Sequence, residues 1–140
     1  MVTMRKITGV IFSDLGQASS FMALDYVQQA LNKCLGYFPF PATLNVRPKA
    51  AQDAEVWQRI QTDVEGVPLP SAAGGFCRAR LYRVAIGRPG SGAADRMDAA
   101  VLLPEVVDYP KDKIEIVAPV RLKEAFTVQD GDQLTLEFIA

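Results

Sequence analysis

Thr43 and Asn45 are the strongest candidates in this sequence for binding a metal ion. They stand two positions apart, shortly after Pro39 and Pro41, which impose an extended backbone on this segment. In an extended chain, residues two apart face the same side, so we expect the two side chains to be neighbours. A hydroxyl and an amide oxygen arranged in this way can hold a hard cation such as Mg²⁺, with waters and phosphate oxygens as further ligands. The alternative is that the pair forms the polar outer face of an ordinary strand.

A second candidate is Glu115, which stands in the apolar segment Ile114-Glu-Ile-Val-Ala-Pro119. Because side chains alternate along a strand, its carboxylate should point away from the face of the two isoleucines, toward solvent or into a cleft. Arg121 and Lys123 follow within a few residues, and either could meet a phosphate or the carboxylate. Alternation alone would also explain a carboxylate on the outer face of this strand.

Two segments rich in small residues are candidates for binding an anion. Residues 13–20, Ser-Asp-Leu-Gly-Gln-Ala-Ser-Ser, directly follow a predicted strand. Backbone N–H groups of such a loop can point together and bind a phosphate, although an ordinary connection between strands would have the same composition. Residues 87–92 contain three glycines, but no helix start follows them, so this segment is predicted to be a surface hairpin turn.

The composition excludes several classes of site. The chain has no histidine, which rules out a Ser-His-Asp triad, a Cys-His dyad and a histidine metal site. It also lacks the G-x-x-x-x-G-K-[ST] and G-x-G-x-x-G phosphate-binding motifs. Cys34 and Cys77 are too few for a disulfide framework and are expected to be small core residues in a reducing compartment. With 15 basic and 16 acidic residues the net charge is -1, so we expect no nucleic-acid partner.

The sequence carries no signal for a membrane. Residues 1–7 lack the apolar stretch of a signal peptide, and no apolar run approaches the roughly 20 residues that span a bilayer. We therefore expect a cytoplasmic protein that has no membrane partner.

The secondary structure predicted from the sequence consists mostly of short strands. The 140 residues are enough for one domain, predicted to span 1–140. The best helix has apolar residues at helical spacing over 27–35, with Asp25 as its N-cap and Gly36 at its end. Shorter helical segments are predicted at 52–61 and 120–126. Strands are predicted at residues 5–12, 21–24, 43–46, 76–86, 97–103, 114–118 and 133–139, and loops or turns at 66–75, 87–94 and 130–132.

This order of elements defines the expected fold class. The strands are many and short, and they do not alternate regularly with helices, which argues against a parallel sheet. We predict a mostly β protein, a small closed β-barrel with a few short helices.

The same residues carry a resemblance to a known family. The markers are four segments, in this order and at these spacings: Gly9-Val-Ile-Phe-Ser-Asp-Leu-Gly16, Leu35-Gly-Tyr-Phe-Pro-Phe-Pro-Ala-Thr-Leu-Asn-Val46, Ile114-Glu-Ile-Val-Ala-Pro119 and Asp130-Gly-Asp132. Over nearly its whole length the chain resembles the archaeal CTP-dependent riboflavin kinases. The resemblance implies a barrel of the cradle-loop, riboflavin kinase-like type. It also implies Mg²⁺-dependent transfer of a phosphoryl group from CTP to the terminal ribityl hydroxyl of riboflavin, which gives FMN.

The resemblance also implies roles for individual residues. The metal ligands would be Thr43 and Asn45, the flavin side would be contacted by Val107 and Glu115, and Glu115 would be catalytic. The nucleotide-binding residues would be Asp14, Leu15, Gly16, Gln17, Ala18, Ser19, Val120, Arg121, Leu122 and Lys123. Phosphoryl transfer depends mostly on positioning and charge neutralisation, so the absence of histidine is compatible with this chemistry.

The sequence departs from the family pattern in two segments and at one flavin-side position. The family loop S-G-L-G-E-G is Ser13-Asp-Leu-Gly-Gln-Ala18 here, and the family P-G-T-L-N is Pro41-Ala-Thr-Leu-Asn45. A family threonine on the flavin side is Val107. These differences motivate an alternative, in which the barrel binds a flavin or a nucleotide without turnover, as a sensor or carrier. A third hypothesis is a purely structural or protein-interaction barrel.

Overall fold

A computed structural model describes residues 5–13, 22–69 and 79–139. The described strands are β1 (Arg5–Phe12), β2 (Leu44–Pro48), β3 (Val67–Leu69), β4 (Ala79–Gly87), β5 (Met97–Pro104), β6 (Ile114–Val117) and β7 (Gln133–Phe138). The helices are α1 (Asp25–Leu35), α2 (Ala51–Asp63) and α3 (Leu122–Ala125), and a single 3₁₀ turn spans Ala93–Asp95. None of these described helices has the length and apolarity that crossing a bilayer requires.

Six of the described strands close into an antiparallel barrel. Their order is β4-β5-β6-β2-β1-β7, and β7 pairs again with β4 through Val84↔Phe138 and Gly87↔Thr135. The strand β3 extends one edge of β4 outside this ring. Closure removes the exposed strand edges that an open sheet would leave. The predicted small, closed, mostly β barrel with a few short helices is therefore confirmed.

The barrel interior is filled by one face of every strand of the ring. Alternate residues of β1, β2 and β6 point inward and are almost fully buried: Ile7, Ile11, Leu44, Val46, Ile114 and Ile116. Burying one such aliphatic side chain stabilises the fold by about 1.5–3 kcal/mol. The helix α2 adds Trp57 to the same core, where its ring lies 5.7 Å from that of Tyr82 in an edge-on arrangement. Because alternate residues of each strand fill the interior, as the sequence pattern predicted, the residues between them face the outside of the barrel.

Gly9 allows β2 to lie close against β1. A Cβ atom at Gly9 would stand 2.7 Å from Cγ2 of Val46, closer than side-chain atoms approach one another. The strand β2 carries Asn45, so this close approach helps to fix the position of the predicted cation ligands. A side chain at position 9 would push β2 away from its partner.

The helix α1 packs on the outside of the barrel over β4, β5 and β6. Its buried residues Val27, Leu31 and Leu35 contact a second apolar cluster formed by outward-facing residues of these strands, among them Leu81 and Leu102. Gly36 ends the helix in a left-handed conformation with φ 84, as predicted. The N-cap is Leu24 rather than Asp25, which lies in the first turn, where a carboxylate favours the helix dipole.

The structure differs from the predicted elements in three further places. Residues 22–24 form no strand, because the chain turns into α1 there and the side chain of Gln28 binds the carbonyl of Met22. The helix α2 is 13 residues long, more than the predicted one or two turns. Its first turn is held by Asp53, which accepts hydrogen bonds from the backbone N–H groups of Thr8 and Ala50. The predicted loop 66–75 contains β3, whereas Phe21, Cys77 and residues 70–78 lie outside the described part.

Candidate functional site

The strands β2 and β6 bring Asn45 and Glu115 together. The two residues are direct partners in the antiparallel ladder, which also pairs Leu44 with Ile116 and Val46 with Ile114. Because those flanking residues point into the barrel, Asn45 and Glu115 face its outer side. They are nevertheless only 7% and 5% exposed, and among the described residues they are the buried side chains that carry an amide or a carboxylate. Such groups are costly to bury without polar partners, so their partners define the site.

Thr43 completes a cluster of oxygen atoms with these two residues. Its hydroxyl donates to Oε1 of Glu115 at 3.2 Å and lies 3.5 Å from Oδ1 of Asn45. The expectation that Thr43 and Asn45 face the same side is met, and the carboxylate of Glu115 joins them. The cluster offers a hydroxyl, an amide oxygen and one carboxylate.

Tyr109 is a member of the cluster that the sequence analysis missed. Its phenol donates a hydrogen bond of 2.5 Å to Oε2 of Glu115, the carboxylate oxygen that Thr43 does not contact. Tyr109 lies in the loop between β5 and β6, which no periodic pattern marks. Tyr109 precedes Glu115 by six residues, but this spacing brings the two side chains together only because the loop turns back over the strand.

The same loop presents Val107 to solvent. Asp108, between Val107 and Tyr109, adopts a left-handed backbone with φ 70, so the chain turns sharply at this point. The turn directs Tyr109 toward Glu115 and leaves Val107 90% exposed. The structure therefore does not bring Val107 into the buried cluster, although the two positions predicted for the flavin side border the same loop.

A cavity of about 150 Å³ lies beside the cluster. Thr43 forms part of its wall, and all four residues of the second predicted nucleotide segment contribute to it. The lining residues are Phe40, Ala42, Thr43, Leu44, Ile116, Ala118, Val120, Arg121, Leu122 and Lys123. The backbone N–H of Phe40 binds the carbonyl of Ala118 at 2.8 Å, which joins the two sides of the cavity. The fold thus places the predicted cation ligand Thr43 and residues 120–123 around one space.

Ser13 is connected to this cavity through charged side chains. Lys123 Nζ lies 3.0 Å from Oδ1 of Asp130 and 3.2 Å from Oγ of Ser13, which itself donates to Asp130. These hydrogen bonds from Ser13 and Lys123 lower the pKa of Asp130 below its usual value. Ser13 is the residue before the predicted phosphate loop, whose members Asp14, Leu15, Gly16, Gln17, Ala18 and Ser19 lie outside the described residues.

The oxygen atoms of this cluster suit a hard cation that keeps much of its hydration shell. In the described part of the chain, no three side chains of Asp, Glu, Cys or His come together. Thr43, Asn45 and Glu115 supply oxygen atoms instead, and the adjoining cavity leaves room for other ligands. Mg²⁺ is commonly bound in this manner, through few protein oxygens together with waters and substrate phosphates. Zinc, by contrast, favours nitrogen and sulfur ligands.

The protein is a small antiparallel barrel in which a buried cluster of oxygen atoms adjoins a cavity of about 150 Å³. The family model of the CTP-dependent riboflavin kinases, described as domain of unknown function DUF120, matches residues 11–138. The chain therefore belongs to this family, as the sequence resemblance predicted.

Curated relatives support the same assignment. The protein named riboflavin kinase from Pyrobaculum arsenaticum is 30% identical over 134 residues, which are 96% of this chain and 60% of that protein. The riboflavin kinase of Saccharolobus solfataricus is 32% identical over 136 residues, covering 94% of this chain and 73% of its own length. The riboflavin kinase of Archaeoglobus fulgidus is 27% identical over 141 residues, with 96% and 54% covered. The chain spans about three fifths of the length of most of these relatives.

Proposed function

We propose that this protein is a CTP-dependent riboflavin kinase, which transfers the γ-phosphoryl group of CTP to the terminal ribityl hydroxyl of riboflavin. The observation that carries the proposal is the contact of Thr43 with both Asn45 and Glu115 at the wall of the cavity formed by residues 120–123. Membership of the family and the names of the relatives support the choice of substrates. The products are FMN and CDP.

In this proposal, Glu115 acts on the acceptor hydroxyl of riboflavin. The ribityl oxygen forms a bond to the γ-phosphorus, the bond from that phosphorus to the bridging oxygen of CDP breaks, and the hydroxyl proton passes to the Glu115 carboxylate. A carboxylate suits this role because it accepts a hydrogen bond from the hydroxyl and orients it for attack. Tyr109 and Thr43 each hold one oxygen of Glu115, so both act as positioning residues for it.

The cation would be Mg²⁺, held by Thr43 and Asn45. When bound, it neutralises negative charge on the transferred phosphoryl group and on the leaving CDP. The protein keeps the hydroxyl oxygen of Thr43 and the amide oxygen of Asn45 side by side. The pairing of β2 with β6 supports this arrangement.

The donor nucleotide would bind along Asp14, Leu15, Gly16, Gln17, Ala18 and Ser19 and along Val120, Arg121, Leu122 and Lys123. The contact of Lys123 with Ser13 supports this, because it holds the residue that precedes the first segment against the second segment. The flavin would lie on the other side, over Val107 and Glu115, where an exposed apolar side chain offers surface to its ring. Both substrates are small molecules, and a nucleoside triphosphate donor favours a cytoplasmic location.

The test is to incubate the protein with riboflavin, Mg²⁺ and CTP, ATP, GTP or UTP in turn, and to separate the flavins by chromatography. We expect FMN with CTP. Formation of FMN with another nucleotide but not with CTP would support riboflavin kinase activity and contradict CTP as the phosphoryl donor. No FMN with any donor would overturn the kinase, and CDP or FMN that then raised the melting temperature would favour the binding-only barrel. Ligand at 100 times its Kd adds about 2.7 kcal/mol of stability, which is readily measured.

A further inference from the structure

Tyr109 already makes the contact with Glu115 that a phosphoryl acceptor needs. Its phenol donates a hydrogen bond of 2.5 Å to Oε2 of the carboxylate. In protein kinases a carboxylate accepts the proton of the attacking hydroxyl in this way. The proposed reaction requires the same contact from the terminal hydroxyl of riboflavin. Tyr109 therefore presents a hydroxyl of the chain itself to the proposed general base.

The same carboxylate adjoins the predicted cation ligands. Thr43 donates to the other oxygen of Glu115, Oε1, at 3.2 Å and lies 3.5 Å from Oδ1 of Asn45. The phenol of Tyr109 and the hydroxyl of Thr43 therefore flank one carboxylate group. Thr43 also lines the cavity formed by residues 120–123. In the proposed function Thr43 and Asn45 hold the cation that binds the γ-phosphate, so the transferred group would lie beside the carboxylate that Tyr109 contacts.

The loop around Tyr109 fixes the position of the phenol. Asp108 adopts a left-handed conformation with φ 70, and the N–H of Tyr109 donates to the carbonyl of Val106 at 3.4 Å. On the face of the ring, Nζ of Lys113 lies 5.8 Å from the ring centre, within the range of a cation–π contact. Holding a nucleophile in one place favours transfer, because less freedom is lost in reaching the transition state.

The other three tyrosines of the chain differ from Tyr109 in their surroundings. Tyr82 is 3% exposed, and its ring packs against Trp57 in the barrel core. Tyr37 packs against the apolar cluster beneath α1, and its phenol is buried without a hydrogen-bond partner among the described residues. Tyr26 lies on α1 and is 37% exposed, whereas Tyr109 is half-buried. Exposure alone would therefore favour modification of Tyr26 rather than Tyr109.

We infer that Tyr109 is a second phosphoryl acceptor, so that the chain phosphorylates its own Tyr109 when the nucleotide is bound and riboflavin is absent. This inference rests on the proposed function. The phenol oxygen forms a bond to the γ-phosphorus of CTP, the bond from that phosphorus to the bridging oxygen of CDP breaks, and the phenol proton passes to the carboxylate of Glu115. The products are a phosphotyrosine at position 109 and CDP.

Riboflavin and Tyr109 compete for the same phosphoryl group. An ionised carboxylate has about four lone-pair sites, so Glu115 can accept hydrogen bonds from Tyr109 and from the ribityl hydroxyl at the same time. Tyr109 then orients the carboxylate while riboflavin takes the phosphoryl group. Each nucleotide supplies one γ-phosphoryl group, so saturating riboflavin should suppress the modification of Tyr109.

The experiment incubates the chain with Mg²⁺ and each of CTP, ATP, GTP and UTP, with and without riboflavin, and locates phosphate by peptide mass spectrometry. Without riboflavin, we expect phosphate on Tyr109 and none on Tyr26, with the nucleotide that supports FMN formation. Glu115→Gln should slow the modification by about 10²–10⁴-fold, because the general base is lost. Glu124→Gln, which changes an exposed carboxylate of α3, is the matched control and should react like wild type.

The failure of this inference can be told from the failure of the proposed function. If wild type forms FMN but carries no phosphate on Tyr109 after incubation without riboflavin, the inference is overturned and the kinase stands. In a protein that forms FMN, phosphate that appears equally on Tyr26, equally fast in Glu115→Gln, or undiminished at saturating riboflavin would also overturn it.

The remaining outcomes concern a protein that forms no FMN. Phosphate on Tyr109 with any of the four nucleotides, slowed by Glu115→Gln, would then support the inference and remove only riboflavin as an acceptor. Absence of both FMN and phosphotyrosine would overturn the inference and the kinase together.

Discussion

The cluster around Glu115, which reaches the cavity through Thr43, and residues 120–123, which line the same cavity, are stabilised in different ways. Glu115 and Asn45 are buried, and Glu115 is held by hydroxyl groups of Thr43 and Tyr109. Arg121 and Lys123 lie at the surface and are held by ion pairs with Glu124 and Asp130. Buried polar groups keep one geometry because losing a partner is costly, whereas exposed ion pairs contribute little and rearrange easily.

Because of this difference, we expect the buried cluster and residues 120–123 to have different roles in the reaction. A reacting hydroxyl needs its partner at a fixed position, because small displacements lower the rate strongly. A nucleotide that must enter and leave is better served by exposed charges that exchange their internal partners for phosphate. We therefore expect substitutions in the buried cluster to affect kcat, and changes at the exposed side to have small effects.

The largest effect is expected for Glu115→Gln. The amide has nearly the same shape but cannot accept the proton of the ribityl hydroxyl, so kcat should fall by about 10²–10⁴-fold. The measurement is the rate of FMN formation at saturating CTP and riboflavin. Glu124→Gln, an exposed carboxylate of α3, is the matched control and should retain wild-type activity. Equal activity in the Glu115 and Glu124 variants would remove Glu115 from the mechanism.

Asn45→Ala should come next, because it removes one of the two predicted cation ligands. We expect kcat at fixed Mg²⁺ to fall about 100-fold, since an unneutralised phosphoryl group raises the barrier to transfer. The fold should remain, because the hydrogen bonds from Thr43 and Tyr109 to Glu115 do not involve Asn45. The assay is a titration of activity with Mg²⁺, together with thermal melting. Undiminished Mg²⁺-dependent turnover in a folded variant would refute the cation site.

Tyr109→Phe should have a smaller effect of the same kind. The ring remains but the hydrogen bond to Oε2 of Glu115 is lost, so the carboxylate is less well oriented. We expect kcat to fall about 10-fold, as for the loss of one well-placed hydrogen bond of about 1.5 kcal/mol to a charged group. The KM for CTP should not change, because Tyr109 lies on the acceptor side. The control is Tyr26→Phe on α1, and a fall in affinity for CTP rather than in kcat would contradict the assignment.

The smallest effect is expected at the exposed side, from Asp130. Hydrogen bonds from Ser13 and Lys123 lower its pKa from the ordinary value of 3.8. A carboxyl group whose pKa is lower in the folded protein than in the unfolded chain stabilises the fold at pH values above its unfolded pKa. This stabilisation is lost as the pH falls through its folded pKa. Melting temperatures measured from pH 7 to pH 2 should therefore fall slightly more for wild type than for Asp130→Asn below about pH 4. Parallel curves would show that the Ser13–Lys123–Asp130 contacts do not stabilise the fold.

The elements that were predicted correctly have a strong local signal. The strand β1 and the helix α1 show clear alternation or helical spacing, and Gly36 marks a helix end because it adopts a left-handed backbone. The full length of α2 was not predicted, because its stability depends on burying Trp57 and Ile60 in the barrel core. The strand β3 exists because the edge of β4 is available to pair with it, which no pattern in its three residues reveals.

For the candidate site, the order of residues along the chain is enough to fix the chemical groups and the strand face on which each one lies. Thr43, Asn45 and Glu115 supply oxygens, the absence of histidine limits the chemistry, and alternation turns Asn45 and Glu115 away from their apolar neighbours. The hydrogen bond between Thr43 and Glu115, which are 72 residues apart, and the contact of Tyr109 with Glu115 arise only when the chain folds. The physical reason is that barrel closure and loop packing depend on contacts between distant parts of the chain, whereas side-chain alternation is a local property of each strand.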